Sequence, residues 1–257
     1  MSLHKYNHAP HTFKVVRSVP DPSVQKFSAI SKPLATLPTL EDLRPRCPPV
    51  YDQGDLGSCT GNAIAGAVEF DLMKQGKAPM MPSRLFIYYN ERLMEGDVGE
   101  DAGAQIHDGI KCIATYGVCD ESLWPYNPIQ FTAKPSDAAY AAAAQEKALS
   151  YYTLDINVVE MKQALAQGYP IVIGMQVFAE MEGEAVAETG IVPMPSNFGM
   201  SLGGHCVLVV GYDDAKQVLI VRNSWGPDWG MGGYFMIPYG YVNEELMTDF
   251  WVVTAVA

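Results

Sequence analysis

No Cys-x-x-Cys pair and no cysteine–histidine pair at zinc-finger spacing occurs in the 257 residues, so the common structural zinc frameworks are excluded. Five cysteines (Cys47, Cys59, Cys112, Cys119 and Cys206) are too few for a disulfide-built scaffold. Their odd number leaves at least one thiol unpaired in a monomer. There is no basic run either. Seventeen Lys and Arg face 29 Asp and Glu, a formal net charge of −12. Nucleic acid is therefore not an expected partner, because phosphate contacts need clustered cations. No apolar stretch is long enough to span a bilayer, so no membrane partner is expected. The longest candidate, Tyr169 to Phe178, is strand-length and rich in β-branched residues. Met1 to Pro10 carries His and Lys side chains with no apolar core behind them, unlike a secretory signal. The expectation is a cytoplasmic protein, or an exported one whose signal has been removed. Nothing in the sequence calls for a metal or a cofactor.

What is present is an ordinary globular composition, 48% hydrophobic and 18% charged, at a length that suits one large domain or two small lobes sharing a core. Residues 1–40 stand apart. They are rich in Pro and Ser, lack Gly and show little apolar periodicity, which predicts an extended arm over the body or a short pro-segment. Helical periodicity follows. Ser58 is a good N-cap, and Cys59 to Gln75 contains no Pro. Its small residues (Gly61, Ala63, Ala65, Gly66, Ala67) suit a central helix packed on all sides. Further helices are predicted over Ser83 to about Met94, Gln105 to Tyr116, Ser136 to Leu149 and Asn157 to Gln167. The period then changes to that of strands: Pro170–Phe178, His205–Tyr212, Gln217–Asn223, Gly233–Ile237 and Phe250–Ala255, with a hairpin turn at residues 213–216. This is an α+β chain, with a helical lobe over about 55–150 and a mostly antiparallel sheet lobe over about 151–255.

Three residue types that together support nucleophilic chemistry fall at telling places. Cys59 lies at the predicted start of the central helix, where aligned peptide dipoles and free N–H groups favour a thiolate. A small buried hydrophobe is the usual fate of a free cysteine and, on position alone, the favoured reading. His205 opens an apolar strand after Gly203-Gly204. Asn223 follows 18 residues later (223 − 205), and the intervening hairpin brings it back beside His205. There it can fix one imidazole nitrogen, while Trp225 shields that hydrogen bond from water.

These blocks resemble the papain-like cysteine peptidases. The resemblance rests on Gln53-Gly54-Asp55-Leu56-Gly57-Ser58-Cys59, on Gly204-His205 with the strand to Tyr212, and on Asn223-Ser224-Trp225-Gly226-Pro227-Asp228-Trp229-Gly230 continuing to Tyr234. The order Cys, His, Asn and the Cys-to-His separation of 146 residues (205 − 59) also fit. It covers roughly residues 41–255. It implies a peptidase domain over 41–257, with helical and β-barrel-like lobes facing each other across a cleft. A Cys59–His205 thiolate–imidazolium pair would attack peptide or protein substrates through a thioester, with Asn223 orienting His205. Gln53, alone just a loop glutamine, would join the Cys59 N–H as an oxyanion donor. Gly99 to Gly103 would receive substrate backbone, with Ala102, Gly103, Gly204 and Trp225 lining the cleft.

The chain also departs from the family pattern. Thr60 stands where Trp usually follows the nucleophile, and Leu56 replaces the usual cysteine three residues before it. About 40 residues precede the mature-like start, in place of a long helical pro-region. Two readings of that arm follow: it runs through the cleft and blocks it, or it packs on the sheet lobe. Cys112 and Cys119 are expected as reduced core thiols, and Cys206, next to His205 on a strand, should point to the opposite face. Met175 and Met200 are candidates for the cleft or, more ordinarily, the core. Two other activities use the same residues: acyl transfer, as in a transglutaminase or deamidase, and a catalytically silent binding protein.

Overall fold

The computed structural model describes residues 13–78, 80–145 and 149–255. Six helices and seven strands occur among them: β1 (Leu40–Asp42), α1 (Cys59–Lys74), α2 (Arg84–Glu95), α3 (Ile106–Tyr116), α4 (Asp137–Ala143), β2 (Leu149–Thr153), α5 (Val158–Ala166), β3 (Ile171–Val177), α6 (Glu184–Thr189), β4 (Gly203–Asp213), β5 (Val218–Arg222), β6 (Tyr234–Pro238) and β7 (Met247–Ala255). The α+β class is as expected, with helices α1–α4 preceding the main sheet.

Helix α1 is buried from Cys59 through Val68 and again at Phe70, Asp71 and Leu72. Such all-round burial needs small side chains where neighbours approach. A Cβ on Gly61 would lie 2.7 Å from the Arg84 carbonyl oxygen, so only glycine lets α2 come this close. Helix α2 starts at Ser83, whose hydroxyl accepts the Phe86 N–H, and stops at Gly96, whose φ of 86° is left-handed.

The sheet runs β2-β7-β3-β4-β5-β6, all antiparallel, with β1 added against β4. Strands β2 and β6 end the order without pairing to each other, so the sheet is open and the barrel-like expectation is corrected: it never closes. Strand β4 lies at its middle and is buried from Gly204 to Tyr212. Two expected boundaries also move. Helix α4 ends at Ala143, residues 146–148 lie outside the described residues, and Leu149 already belongs to β2. The β-branched and aromatic run after the alanines pairs with β7 in place of continuing the helix. Sequence periodicity also missed the short elements β1 and α6.

The N-terminal arm is anchored in the sheet side. Phe27 is buried, its ring edge-on to Tyr152 and Tyr169 at 6.3 and 5.4 Å. Lys26 reaches Asp155 at 2.5 Å. All five cysteines are free thiols, four of them buried. Met175 is buried beside His205 in the β3–β4 register, whereas Met200 is exposed.

Arg222, at the end of β5, carries much of the joint between the sheet and the segment before α1. It is 3% exposed, donates to the Pro48 and Pro49 carbonyls at 2.7 and 2.6 Å, and stacks on Tyr51 at 4.7 Å. Hydrogen bonds from a charged donor contribute about 1.5–3 kcal/mol each, and orphaned buried acceptors cost more. Arg222→Met should lower stability by about 3 kcal/mol, read as a shift in the urea midpoint with unchanged slope.

Candidate active site

The sheet and the central helix bring the sequence-singled residues to one place. Backbone N–H groups of Cys206, the residue after His205, and of Thr60, at the first turn of α1, favour the thiolate of Cys59. Cys59 and His205 are both fully buried. His205 Nε2 lies 2.9 Å from Asn223 Oδ1, and that oxygen also accepts the Ser224 N–H at 2.9 Å. Trp225 stacks on the imidazole, with ring centroids 5.1 Å apart and planes 23° from parallel. Trp229 stands edge-on behind Trp225 at 4.8 Å. The hydrogen bond between His205 and Asn223 is thus roofed by indole and kept from water, as the sequence led one to expect.

Gln53 is held at both ends of its amide. Its Oε1 accepts the Ser224 hydroxyl at 2.5 Å, and its Nε2 donates to the Leu56 carbonyl at 2.9 Å. Its backbone N–H donates to the Ser224 carbonyl at 2.9 Å. Around this frame stand residues that sequence patterns did not mark. Tyr126 contacts the Ser58 hydroxyl at 2.5 Å and donates to the Gln53 carbonyl at 2.9 Å. Asn62 donates to the Ser58 carbonyl at 2.9 Å. Arg84 donates to the Asp52 carbonyl at 3.1 Å and pairs with Glu121 at 2.6 Å. The N–H of Gly57, two residues before Cys59, donates to Asp101. Only the N-cap at Ser58 and the i, i+4 spacing of Asn62 hint at this layer in the sequence; the rest is tertiary contact.

Thr60, in the place of the usual Trp, donates its hydroxyl to Glu91 on α2. Glu91 is wholly buried, and its Oε2 has no hydrogen-bond partner among the described residues. Burial pushes its carboxyl well above the usual carboxylate range, so it is held neutral. A tryptophan would have filled this space with hydrocarbon; Thr60 requires a polar partner, which Glu91 supplies.

The arm lies across the cleft residues. The Val15 N–H donates to the Gly204 carbonyl at 3.0 Å, and Val16 bridges Gln105 in parallel sense. Phe13 sets its ring 5.9 Å from His205 and 6.1 Å from Trp225. A Cβ on Gly103, whose φ is +75°, would lie 2.2 Å from the Lys14 carbonyl oxygen, and one on Gly204 2.4 Å from that of Val15. Both glycines are places where a peptide backbone approaches with no room for a side chain. Ala102 beside them is exposed. Residues 1–12 of the arm lie outside the described residues; residues 13–16 lie on the cleft residues and Lys26 and Phe27 pack on the sheet, so the arm makes both contacts expected of it as alternatives. Burial pushes the Cys59 thiol up to about 12, outweighing the neighbouring backbone N–H groups that favour the thiolate.

A model of the papain family cysteine proteases matches residues 37–253. The chain belongs to the papain family. It is 47% identical over 215 residues to an uncharacterised peptidase C1-like protein of Acanthamoeba polyphaga mimivirus, covering 80% of this chain and 69% of that one. It is 28% identical over 221 residues to the cathepsin B-like protein CP2 of Giardia intestinalis, covering 80% and 71%. Among solved structures it is similar to xylellain, a cysteine protease from Xylella fastidiosa. That match has a TM-score of 0.87 and 37% identity, and covers 98% of this chain and 99% of that one. This papain-family chain is a cysteine peptidase, a peptide hydrolase on the two-lobed papain-like fold.

A half-buried carboxyl tests the electrostatics of the helical side. Glu95 accepts the Gln105 N–H at 2.7 Å, and burial, with Asp108 and Asp97 near, moves it from 4.5 to about 7. A raised acid favours the folded state while protonated, so this contribution is complete below about 4.5 and is lost as pH rises through about 7. Urea unfolding at pH 5 and pH 8 should show a wild-type loss of stability that Glu95→Gln reduces.

Proposed function

We propose that Cys59 is the nucleophile of this peptidase, His205 its acid–base partner, Asn223 the group that orients His205, and Gln53 an oxyanion donor. The observation that carries this reading is the 2.9 Å contact of His205 Nε2 with Asn223 Oδ1 under the Trp225 ring, on the strand that runs past Cys59 at the buried start of α1. With Nε2 engaged by Asn223, Nδ1 is the ring nitrogen that exchanges a proton with the thiol. The sulfur attacks the scissile carbonyl and a tetrahedral oxyanion forms. The Gln53 amide and the Cys59 backbone N–H are positioned to receive its charge. His205 protonates the departing amine and then activates the water that hydrolyses the thioester. Gly103 and Gly204 offer backbone to an extended peptide, Ala102 flanks them, and Trp225 walls the leaving-group side.

The arm is read as an intramolecular cover of this cleft. Its support is that residues 13–15 lie on the same glycines and rings that a substrate would need. Uncovering restores water and field to the first turn of α1, which lowers the thiol's pKa toward the reactive range.

Three measurements test this. A peptidyl epoxide should label Cys59 under reducing conditions, and Cys59→Ala should lose both labelling and peptide hydrolysis; labelling elsewhere sinks the assignment. Gln53→Ala should lower kcat by roughly 10²–10³-fold, the usual worth of one oxyanion donor. Val15→Pro removes the N–H that bonds Gly204. It should speed both peptide turnover and iodoacetamide alkylation of Cys59 at neutral pH. Unchanged rates would count against the cover.

A further inference from the structure

One carboxylate on the cleft wall has no part in the chemistry above. Asp101 accepts the Gly57 N–H through Oδ1 and Oδ2 at 3.1 and 3.2 Å, and its Oδ1 also accepts the Tyr88 hydroxyl. These uncharged donors fix its position without neutralising it. Its Oδ2 meets the ammonium of Lys14 at 3.3 Å, and the same ammonium donates to the Asp101 carbonyl. Arg92, a nearby cation of the protein body, acts on Asp101 only at longer range, because its guanidinium donates to the carbonyls of Tyr88, Val98, Glu100 and Phe131. The ion-pair partner of Asp101 is therefore supplied by the arm.

The location matters as much as the charge. Gly57, which bonds the carboxylate, is two residues from Cys59. Gly103, on which the Lys14 backbone rests, is two residues beyond Asp101. Asp101 thus stands between the loop that carries the nucleophile and the glycine that takes peptide backbone. Two residues of chain span about 7 Å, a distance that a long basic side chain can bridge from the residue whose carbonyl is attacked. When the arm leaves, it takes the partner of a half-covered carboxylate with it.

We propose that Asp101 is a specificity-determining residue, selecting peptides with Arg or Lys at the position whose carbonyl Cys59 attacks. Lys14 occupies that place in the covered state. This rests on the assignment of Cys59 as nucleophile. A neutral side chain there leaves the carboxylate with only the longer-range charge of Arg92, whereas a guanidinium or ammonium restores the direct pair that Lys14 makes.

The test uses the full chain and two peptides identical except for Arg or citrulline at that position. Citrulline keeps the length and planarity of the side chain and removes its charge. Both peptides meet the same arm, so the ratio of their kcat/KM values cancels its effect. Wild type should prefer Arg by about 10- to 100-fold, the usual range for one charge-assisted hydrogen-bonded contact. The preference should shrink between about 0.05 and about 0.5 M salt, as a partly exposed ion pair requires. Asp101→Asn should bring the ratio to within about threefold of one, and Asp101→Glu should retain a preference. A wild-type ratio near one, a preference indifferent to salt, or a ratio unchanged in Asp101→Asn overturns the proposal. So does an equal fall for both peptides in that variant, which would leave Asp101 only the task of holding Gly57. The wild-type ratio and its salt dependence decide even where the variants do not fold. Epoxide labelling of Cys59 with no preference sinks this assignment alone; no labelling and no cleavage of either peptide sinks the nucleophile with it.

Discussion

Two hydrogen bonds between Gln53 and Ser224, one from backbone to backbone and one from hydroxyl to amide oxygen, tie the loop before α1 to the segment after β5. Everything proposed for the chemistry hangs from this joint. On one side, six residues of loop lead to Cys59 at the start of a helix locked in the core. On the other, the residue before Ser224 is Asn223, which holds His205. Apolar packing alone would let the helical and sheet parts slide by a fraction of an ångström with little cost, because it is non-directional. Hydrogen bonds have narrow geometry, so the polar joint sets a register that the apolar contact leaves loose. Arg222 reinforces it from beneath by holding the Pro48 and Pro49 carbonyls, and Tyr126 from the side by holding the Gln53 carbonyl.

How much of this was legible depended on whether a feature is local. The central helix could be read because its burial on all sides demands small residues, and these appear in sequence as a run. The pairing of His205 with Asn223 was legible because a hairpin of known length folds one back on the other. Strand β2 was missed because its first residues follow an alanine-rich helix without a break signal, and only pairing with β7 decides their state. The supporting layer of Tyr126, Arg84 and Asp101 was illegible for a stricter reason. Each reaches across tens of residues to a backbone atom, and a carbonyl or N–H leaves no mark on the sequence it belongs to. Closure of the sheet was misjudged because pairing of its end strands is a property of the whole order and of no single strand.

The substitution of Thr60 for the usual tryptophan shows how one departure recruits another. A hydroxyl in a dry site needs a partner, and Glu91 on the neighbouring helix provides one at the cost of burying a carboxyl that must stay protonated. The helical part of the molecule thus carries a polar contact in its interior where a tryptophan would have put hydrocarbon. Such a contact is more sensitive to proton concentration than packed rings are.

Phe27, seated between two tyrosine rings well away from the cleft, gives the arm a fixed end. A segment that lets go at Phe13 therefore does not diffuse away. It remains a tethered ligand whose local concentration is on the order of millimolar for a short flexible linker. On the proposed reading of the arm as a cover, a passing peptide competes with that standing supply at every turnover, whatever the total amount of protein in solution. Severing the chain anywhere between Val16 and Lys26 would end the competition at once, since the freed piece would be diluted into the bulk. The anchor turns a weak contact into an effective one, and makes a single backbone cut the step that would undo it for good.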